Sequence, residues 1–233
     1  MDIILIPGFW LDGSSWAEVA PALEQSGHRV RALTLPGLES ADADRGGIGL
    51  SDHVDAVVTA VDEADGPVVL VGHSGGGAIA HAAADARPDR VARVVYVDAG
   101  PLGVGQAIND ELPVIDGEIP LPDWSEFGEE DLRDLDDELR EAFRAHAVPQ
   151  PAAVAHDPQV LADERRYDVP ATIISCGFPS EQLREWIAQG HPYVAELAAM
   201  RDVEYVDLPT GHWPQFTKPV QLSQAILAAV DRT

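Results

Sequence analysis

In Val68-Val69-Leu70-Val71-Gly72-His73-Ser74-Gly75-Gly76-Gly77, a run of apolar, mostly β-branched residues passes directly into a glycine-spaced serine. Such a run behaves as a strand buried on both faces, as in a parallel sheet. The Ala-rich segment that follows, Ala78 to Ala86, has high helix propensity. Strand, tight turn and helix around Gly-x-Ser-x-Gly is the context in which a serine hydroxyl is presented as a nucleophile. Gly72 and Gly76 leave room for the sharp turn and for close packing of helix on strand. No Lys follows the glycines, which excludes a Walker-type phosphate loop, and Gly72-x-x-Gly75 has the wrong spacing for a dinucleotide fingerprint. Ser74 is the expected nucleophile.

Composition limits the alternatives. A chain of 233 residues with 45% hydrophobic and 24% charged residues is expected to fold as one soluble domain with a full core. No apolar run reaches membrane-spanning length, and Met1-Asp2-Ile3-Ile4-Leu5-Ile6 reads as a first strand rather than a leader. The single cysteine excludes an internal disulfide and fits a reducing, cytoplasmic setting. The net charge of −25 argues against nucleic acid, anionic membranes or polyanionic substrates as partners. A small molecule is the expected partner, with the chain itself a monomer or homodimer. Lys218 is the one lysine among the 15 basic residues and Ala is abundant, a bias that fits a bacterial source of high GC content.

Read in order, the chain alternates strands and helices. Asp2 to Ile6 is a strand that breaks at Pro7-Gly8, and Ser15-x-x-Glu18 reads as a capping box for a helix carrying Trp16, Val19 and Leu23. Arg29 to Leu35 reads as the second strand. A helix capped by Ser51, with Val54, Val57, Val58 and Val61 on one face, leads into the serine strand. Val91 to Val97 forms the next strand. The rhythm then stops. Residues 101–165 show no strand, many prolines and an acidic helix from Glu129 to His146, and they are too long for an ordinary connection. The expected organisation is a core of residues 1–100 and 166–233 with a helical lid inserted at 101–165. The rhythm resumes with Ala171 to Cys176, a helix from Glu181 to Met200, the strand Val203 to Leu208 and a last helix from Pro219 to Val230.

A serine attacking a carbonyl needs a base, a group that orients the base, and donors for the oxyanion. His212, in Pro209-Thr210-Gly211-His212-Trp213-Pro214 just after the last strand, would stand at the same sheet edge as Ser74. It is the candidate base. His73 would point away from the serine, Cys176 reads as a small core residue, and Asp207 is too close in the chain to turn back onto His212. No His, Asp or Glu group has metal-ligand spacing, and no cofactor is expected.

Gly72-His73-Ser74-Gly75-Gly76, Pro7-Gly8-Phe9-Trp10 after the first strand with Trp16 a few residues on, and Gly211-His212 in the last loop resemble an α/β-hydrolase. The nearest branch is that of small plant esterases and hydroxynitrile-lyase-like enzymes. The resemblance covers the chain outside the insertion. It implies the α/β-hydrolase fold, a mostly parallel open sheet with helices on both faces. It also implies an oxyanion hole from the N–H groups of Phe9 and Gly75, with Pro7-Gly8 in place of the usual His-Gly.

In most of the family the acid follows the strand that here is Ala171 to Cys176, where this chain has Gly177-Phe178-Pro179-Ser180-Glu181 and no Asp. Some members carry it after the strand that follows the nucleophile helix, the position of Asp98. Asp98 and Glu181 are both candidates, and a chain without a working acid is the third case. Trp10, Trp124, Phe127 and Trp186 are candidates to line an apolar pocket, with packing of lid on core as the other reading.

The expected activity is a serine hydrolase cleaving a small, neutral, fairly apolar ester or lactone through an acyl-enzyme. Two alternatives remain: a lyase using the Ser–His pair as general base, and a ligand-binding homologue without turnover. The lyases this chain resembles rely on a lid Lys, and residues 101–165 contain none.

Overall fold

The computed structural model describes residues Met1–Thr233. Eight strands form: β1 (Asp2–Ile6), β2 (Arg29–Ala32), β3 (Val68–His73), β4 (Val91–Val97), β5 (Glu118–Ile119), β6 (Gln150–Pro151), β7 (Ala171–Ser175) and β8 (Val203–Asp207). Nine helices accompany them: α1 (Ala20–Gln25), α2 (Leu50–Asp62), α3 (Gly75–Ala86), α4 (Asp137–His146), α5 (Ala152–His156), α6 (Ser180–Ala188), α7 (Ala195–Ala199), α8 (Pro214–Thr217) and α9 (Pro219–Val230).

Alternating residues of the central strands send side chains to opposite faces, and both faces are apolar. Ile4, Ile6 and Leu70 join one core with Val57 of α2, Ala83 of α3 and Leu183 of α6. Ile3, Leu5, Val69 and Val71 join a second core with Leu23 of α1 and Ile226 of α9. Burial on both faces favours a parallel sheet covered by helices. The six-stranded sheet has the order β2-β1-β3-β4-β7-β8 with every pair parallel. All strands therefore end at one edge, and β3, β4 and β7 lie side by side there. No helix is long and apolar enough to cross a membrane.

Several elements differ from their sequence readings, each for a local reason. The Ser15-x-x-Glu18 box does not form: Asp12 accepts the Ser14 N–H at 2.7 Å and starts a 3₁₀ turn, Gly13–Trp16, before α1 begins at Ala20. The cap of α2 is Gly49 rather than Ser51, its N–H donating to Asp52 at 2.8 Å. Glu181 to Met200 is two helices, because Gly190 takes a φ of 67° and Pro192 follows. Residues 101–165 do contain strands, since β5 and β6 pair antiparallel. Of Glu129 to His146 only Asp137–His146 is helical, capped by Asp136 accepting the Leu139 N–H at 2.9 Å.

Two buried polar features tie the layers together. Arg166 (5% exposed) donates to Glu196 at 2.8 Å and to Asp85 at 3.2 Å, and His81 bridges Glu196 and the Tyr96 hydroxyl. This joins α3, β4 and α7 through groups that satisfy one another, as buried charges require. His53 on α2 is fully buried and its Nε2–H donates to the Pro36 carbonyl at 2.8 Å.

Burial pushes the His53 imidazole down to about 4, against the opposing effect of that hydrogen bond. Below the ordinary histidine range the unfolded chain takes up a proton that the folded one refuses. Stability from this group is therefore complete above about pH 6.5 and falls as pH drops toward 4, by roughly 3 kcal/mol. Urea unfolding of wild type and His53→Gln across that window measures it: the variant's stability falls less steeply with acid. Parallel pH profiles would refute the assignment.

Candidate active site

The site is built where β3, β4 and β8 end. Leaving β3, the chain turns at Ser74 with φ 52° and ψ −127° and enters α3 at Gly75. This left-handed conformation is costly for a residue with a Cβ and is held by the packing around it. The flanking glycines make the packing possible: a Cβ on Gly76 would stand 2.5 Å from the Pro7 carbonyl oxygen and one on Gly72 2.8 Å from Gly77 Cα. The start of α3 thus sits directly on the end of β1, with the serine raised above the sheet.

Three side chains meet there. His212, in the loop between β8 and α8, has Nε2 2.8 Å from Ser74 Oγ and Nδ1 2.7 Å from Asp98 Oδ2. A carboxylate acceptor on Nδ1 keeps the proton there and leaves the Nε2 lone pair toward the serine. Asp98 directly follows β4 and has φ 42°. Its Oδ1 accepts the N–H groups of Cys176 at 2.9 Å and Gly177 at 3.1 Å, the first residues past β7. Burial pushes the Asp98 carboxyl up, but the hydrogen bond and charge of His212 and the two amides outweigh it and hold it below the usual carboxylate range.

The sequence left the acid open between Asp98, Glu181 and no working acid, and of the two carboxylates the structure brings only Asp98 to His212. Glu181 lies exposed in the first turn of α6. Asp207 instead caps that helix, accepting the Ser180 N–H at 2.6 Å. Cys176 is buried in the core among Ile174 and Leu222, and burial raises its thiol well above the ordinary value.

The His212 loop is braced from two sides. His212 N–H donates to the Asp131 carbonyl at 2.8 Å and Gly211 N–H to the Arg133 carbonyl at 3.0 Å. Beneath it, the fully buried His73 donates from Nε2 to the His212 carbonyl at 2.7 Å, and its Nδ1 accepts from Gln215 at 3.3 Å. Burial first, and the neighbouring His212 second, push His73 down to about 3, so it is a neutral strut.

Above the three residues opens a cavity of about 1040 Å³, lined by Phe9, Trp10, Phe127, Leu183, Tyr193 and Leu197 among others. Of the four aromatic residues for which the sequence left pocket lining and lid packing open, Trp10 and Phe127 line the cavity, their rings edge to face at 6.0 Å. Trp124 and Trp186 do not. Trp124 packs on Trp213 and Phe143, with the Arg144 guanidinium over its ring, and Trp186 packs on Phe178, His191 and Tyr193. Asp131 also faces the cavity, and nothing in its acidic surroundings (Glu129-Glu130-Asp131) set it apart in the sequence. The Phe9 and Gly75 N–H groups donate to no backbone carbonyl. No group of three His, Cys, Asp or Glu side chains converges in a way that could hold a metal ion.

Residues 3–225 match the alpha/beta hydrolase family. The chain belongs to that family. A pyrethroid hydrolase of Sphingobium wenxiniae is 26% identical over 257 residues, 99% of this chain and 88% of that one. The crystal structure of a pyrethroid hydrolase from Sphingobium faniae superimposes with a TM-score of 0.74 at 25% identity, covering 99% of this chain and 97% of the other. An extracellular alpha/beta-hydrolase from a Paenibacillus species, described as homologous to tobacco salicylic acid binding protein 2, shares the fold with a TM-score of 0.75 at 22% identity over 98% of each chain. With this membership and these relatives, the chain is a hydrolase of the carboxylesterase type.

Proposed function

We propose that this alpha/beta hydrolase is a serine carboxylesterase acting on small, neutral, fairly apolar esters or lactones through an acyl-enzyme. The observation that carries the reading is the chain of hydrogen bonds from Ser74 through His212 to Asp98, at 2.8 Å and 2.7 Å, on the floor of a largely apolar cavity.

Ser74 Oγ attacks the ester carbonyl while His212 Nε2 takes its proton, and Asp98 stabilises the imidazolium and fixes its orientation. The oxyanion is held by the N–H groups of Phe9 and Gly75, both at the cavity wall and free of backbone acceptors. His212 returns the proton to the leaving alkoxide. Water then gives its proton to Nε2 and attacks the acyl-serine, and Nε2 passes that proton to the departing Ser74 Oγ as the carboxylate is released. Residues 101–165 act as a lid: they supply Leu112, Phe127 and Asp131 to the cavity, and their backbone carbonyls hold the His212 loop.

The test is turnover of p-nitrophenyl acetate and butyrate together with labelling by a fluorophosphonate, with the labelled residue located by peptide mass. Turnover that stops in proportion to labelling at Ser74 is the expected result. Labelling without turnover of any short ester would replace the hydrolase reading with ligand binding.

A further inference from the structure

The carboxylates that reach the cavity have different fates. Glu111, Asp123 and Glu126 line it but are exposed to solvent, and Asp98 is committed to His212 and two amides. Asp131 alone is half-buried and uncommitted: its Oδ2 accepts one N–H, from Gly128 at 3.2 Å, and no Arg, Lys or His pairs with it. No Arg or Lys lines the cavity anywhere. Burial pushes the Asp131 carboxyl up, only partly offset by the nearby His212 and the Gly128 amide, so its charge is incompletely compensated.

Asp131 lies next to the base: its backbone carbonyl accepts the His212 N–H at 2.8 Å, and its carboxyl feels the charge of His212. His212 Nε2 hands its proton to the departing alkoxide, so the alcohol half of an ester lies on the His212 side of the nucleophile. That is the side Asp131 occupies. The aromatic rings of Phe127, four residues before it, and of Trp10 line the same cavity edge to face. A half-buried carboxylate that shares a cavity with aromatic rings and meets no cation there is the chemistry that recognises an ammonium group.

We propose that Asp131 is a specificity-determining residue that favours esters whose alcohol portion carries an ammonium group a few bonds from the ester oxygen. This rests on the carboxylesterase reading above and extends its substrate class from neutral esters to amino-alcohol esters. The departing carboxylate meets no cation to retain it in the cavity.

The experiment compares butyrylcholine with neohexyl butyrate, its isostere with carbon in place of nitrogen, by kcat/KM in a pH-stat. Each is measured for wild type and Asp131→Asn, at low and high ionic strength. Because both esters are read in the same enzyme, any general damage to the His212 loop cancels in their ratio. Wild type is expected to favour the choline ester by about tenfold at low salt, with the preference reduced by salt and lost in Asp131→Asn. A ratio unchanged in the variant would overturn the proposal and assign the preference to the overall negative field of the protein. A wild type that favours the neutral ester overturns it as well. If p-nitrophenyl butyrate is hydrolysed but neither of these esters is, the hydrolase reading stands and this proposal fails. If no ester is hydrolysed, both fail together.

Discussion

Ser74→Ala lowers kcat for p-nitrophenyl butyrate by about 10⁶-fold and abolishes fluorophosphonate labelling, with little change in the melting temperature. Removal of a serine nucleophile alone costs about this much in a Ser-His-Asp enzyme, because the remaining groups act only through it. No neighbouring group can substitute, since the Cys176 thiol is buried with its pKa raised and the Asp98 carboxylate is held against His212. The fold tolerates the change because Ser74 makes no capping hydrogen bond to α3, and Ala at a φ of 52° carries the same strain as Ser. Steady-state kinetics with active-site titration measures the loss. A variant that keeps a tenth of the wild-type rate would remove Ser74 from the mechanism.

The second large effect separates the two carboxylates. Asp98→Asn lowers kcat by about 10⁴, while Glu181→Gln stays within about twofold of wild type. The size of the first follows from how Asp98 is held. Its Oδ1 accepts two backbone amides, from Cys176 and Gly177, so the Asn carbonyl oxygen takes that place. The amide NH₂ is then turned toward His212 Nδ1, which must accept rather than donate. The imidazole proton moves to Nε2, where it blocks acceptance of the serine proton. An equal fall in both variants, or a fall in Glu181→Gln alone, would reassign the acid.

Much of this arrangement was legible in the sequence because it is local. The glycine-spaced serine after an apolar run, and a histidine in the loop after the last strand, each carry their context within ten residues. The acid was not local. Two candidate positions existed because β4 and β7 are adjacent parallel strands ending at the same edge, so a carboxylate from either can reach His212. Only the fold shows that Asp98 bends toward the amides past β7 while Glu181 is spent in an exposed helical turn.

The insertion was the least legible part. Leu132 and Leu135 continue the apolar stripe of α4 backwards in sequence, but the carbonyls of Asp131 and Arg133 accept the amides of His212 and Gly211, and a continued helix would use them internally. A distant partner overrode the local period. Aromatic residues were counted correctly but not oriented: Trp10 is aimed at the cavity by a φ of 64° and a hydrogen bond from its indole to the Ile119 carbonyl at 3.0 Å, neither visible in composition.

The two hydrogen bonds between the His212 loop and the carbonyls of residues 131 and 133 also restrict how the protein can be remodelled or can diverge. Segments of this kind are natural targets for exchange between relatives when a new substrate range is sought, since they shape the cavity without touching the nucleophile. Here an exchanged segment must also reproduce two main-chain oxygen positions, which a residue of any type can supply and no side-chain comparison reveals. A chimera with ideal cavity-facing residues but a shifted backbone would bind its ligand and leave the imidazole adrift. Selection for substrate range and for turnover thus act on the same few residues, one through their side chains and the other through their backbone.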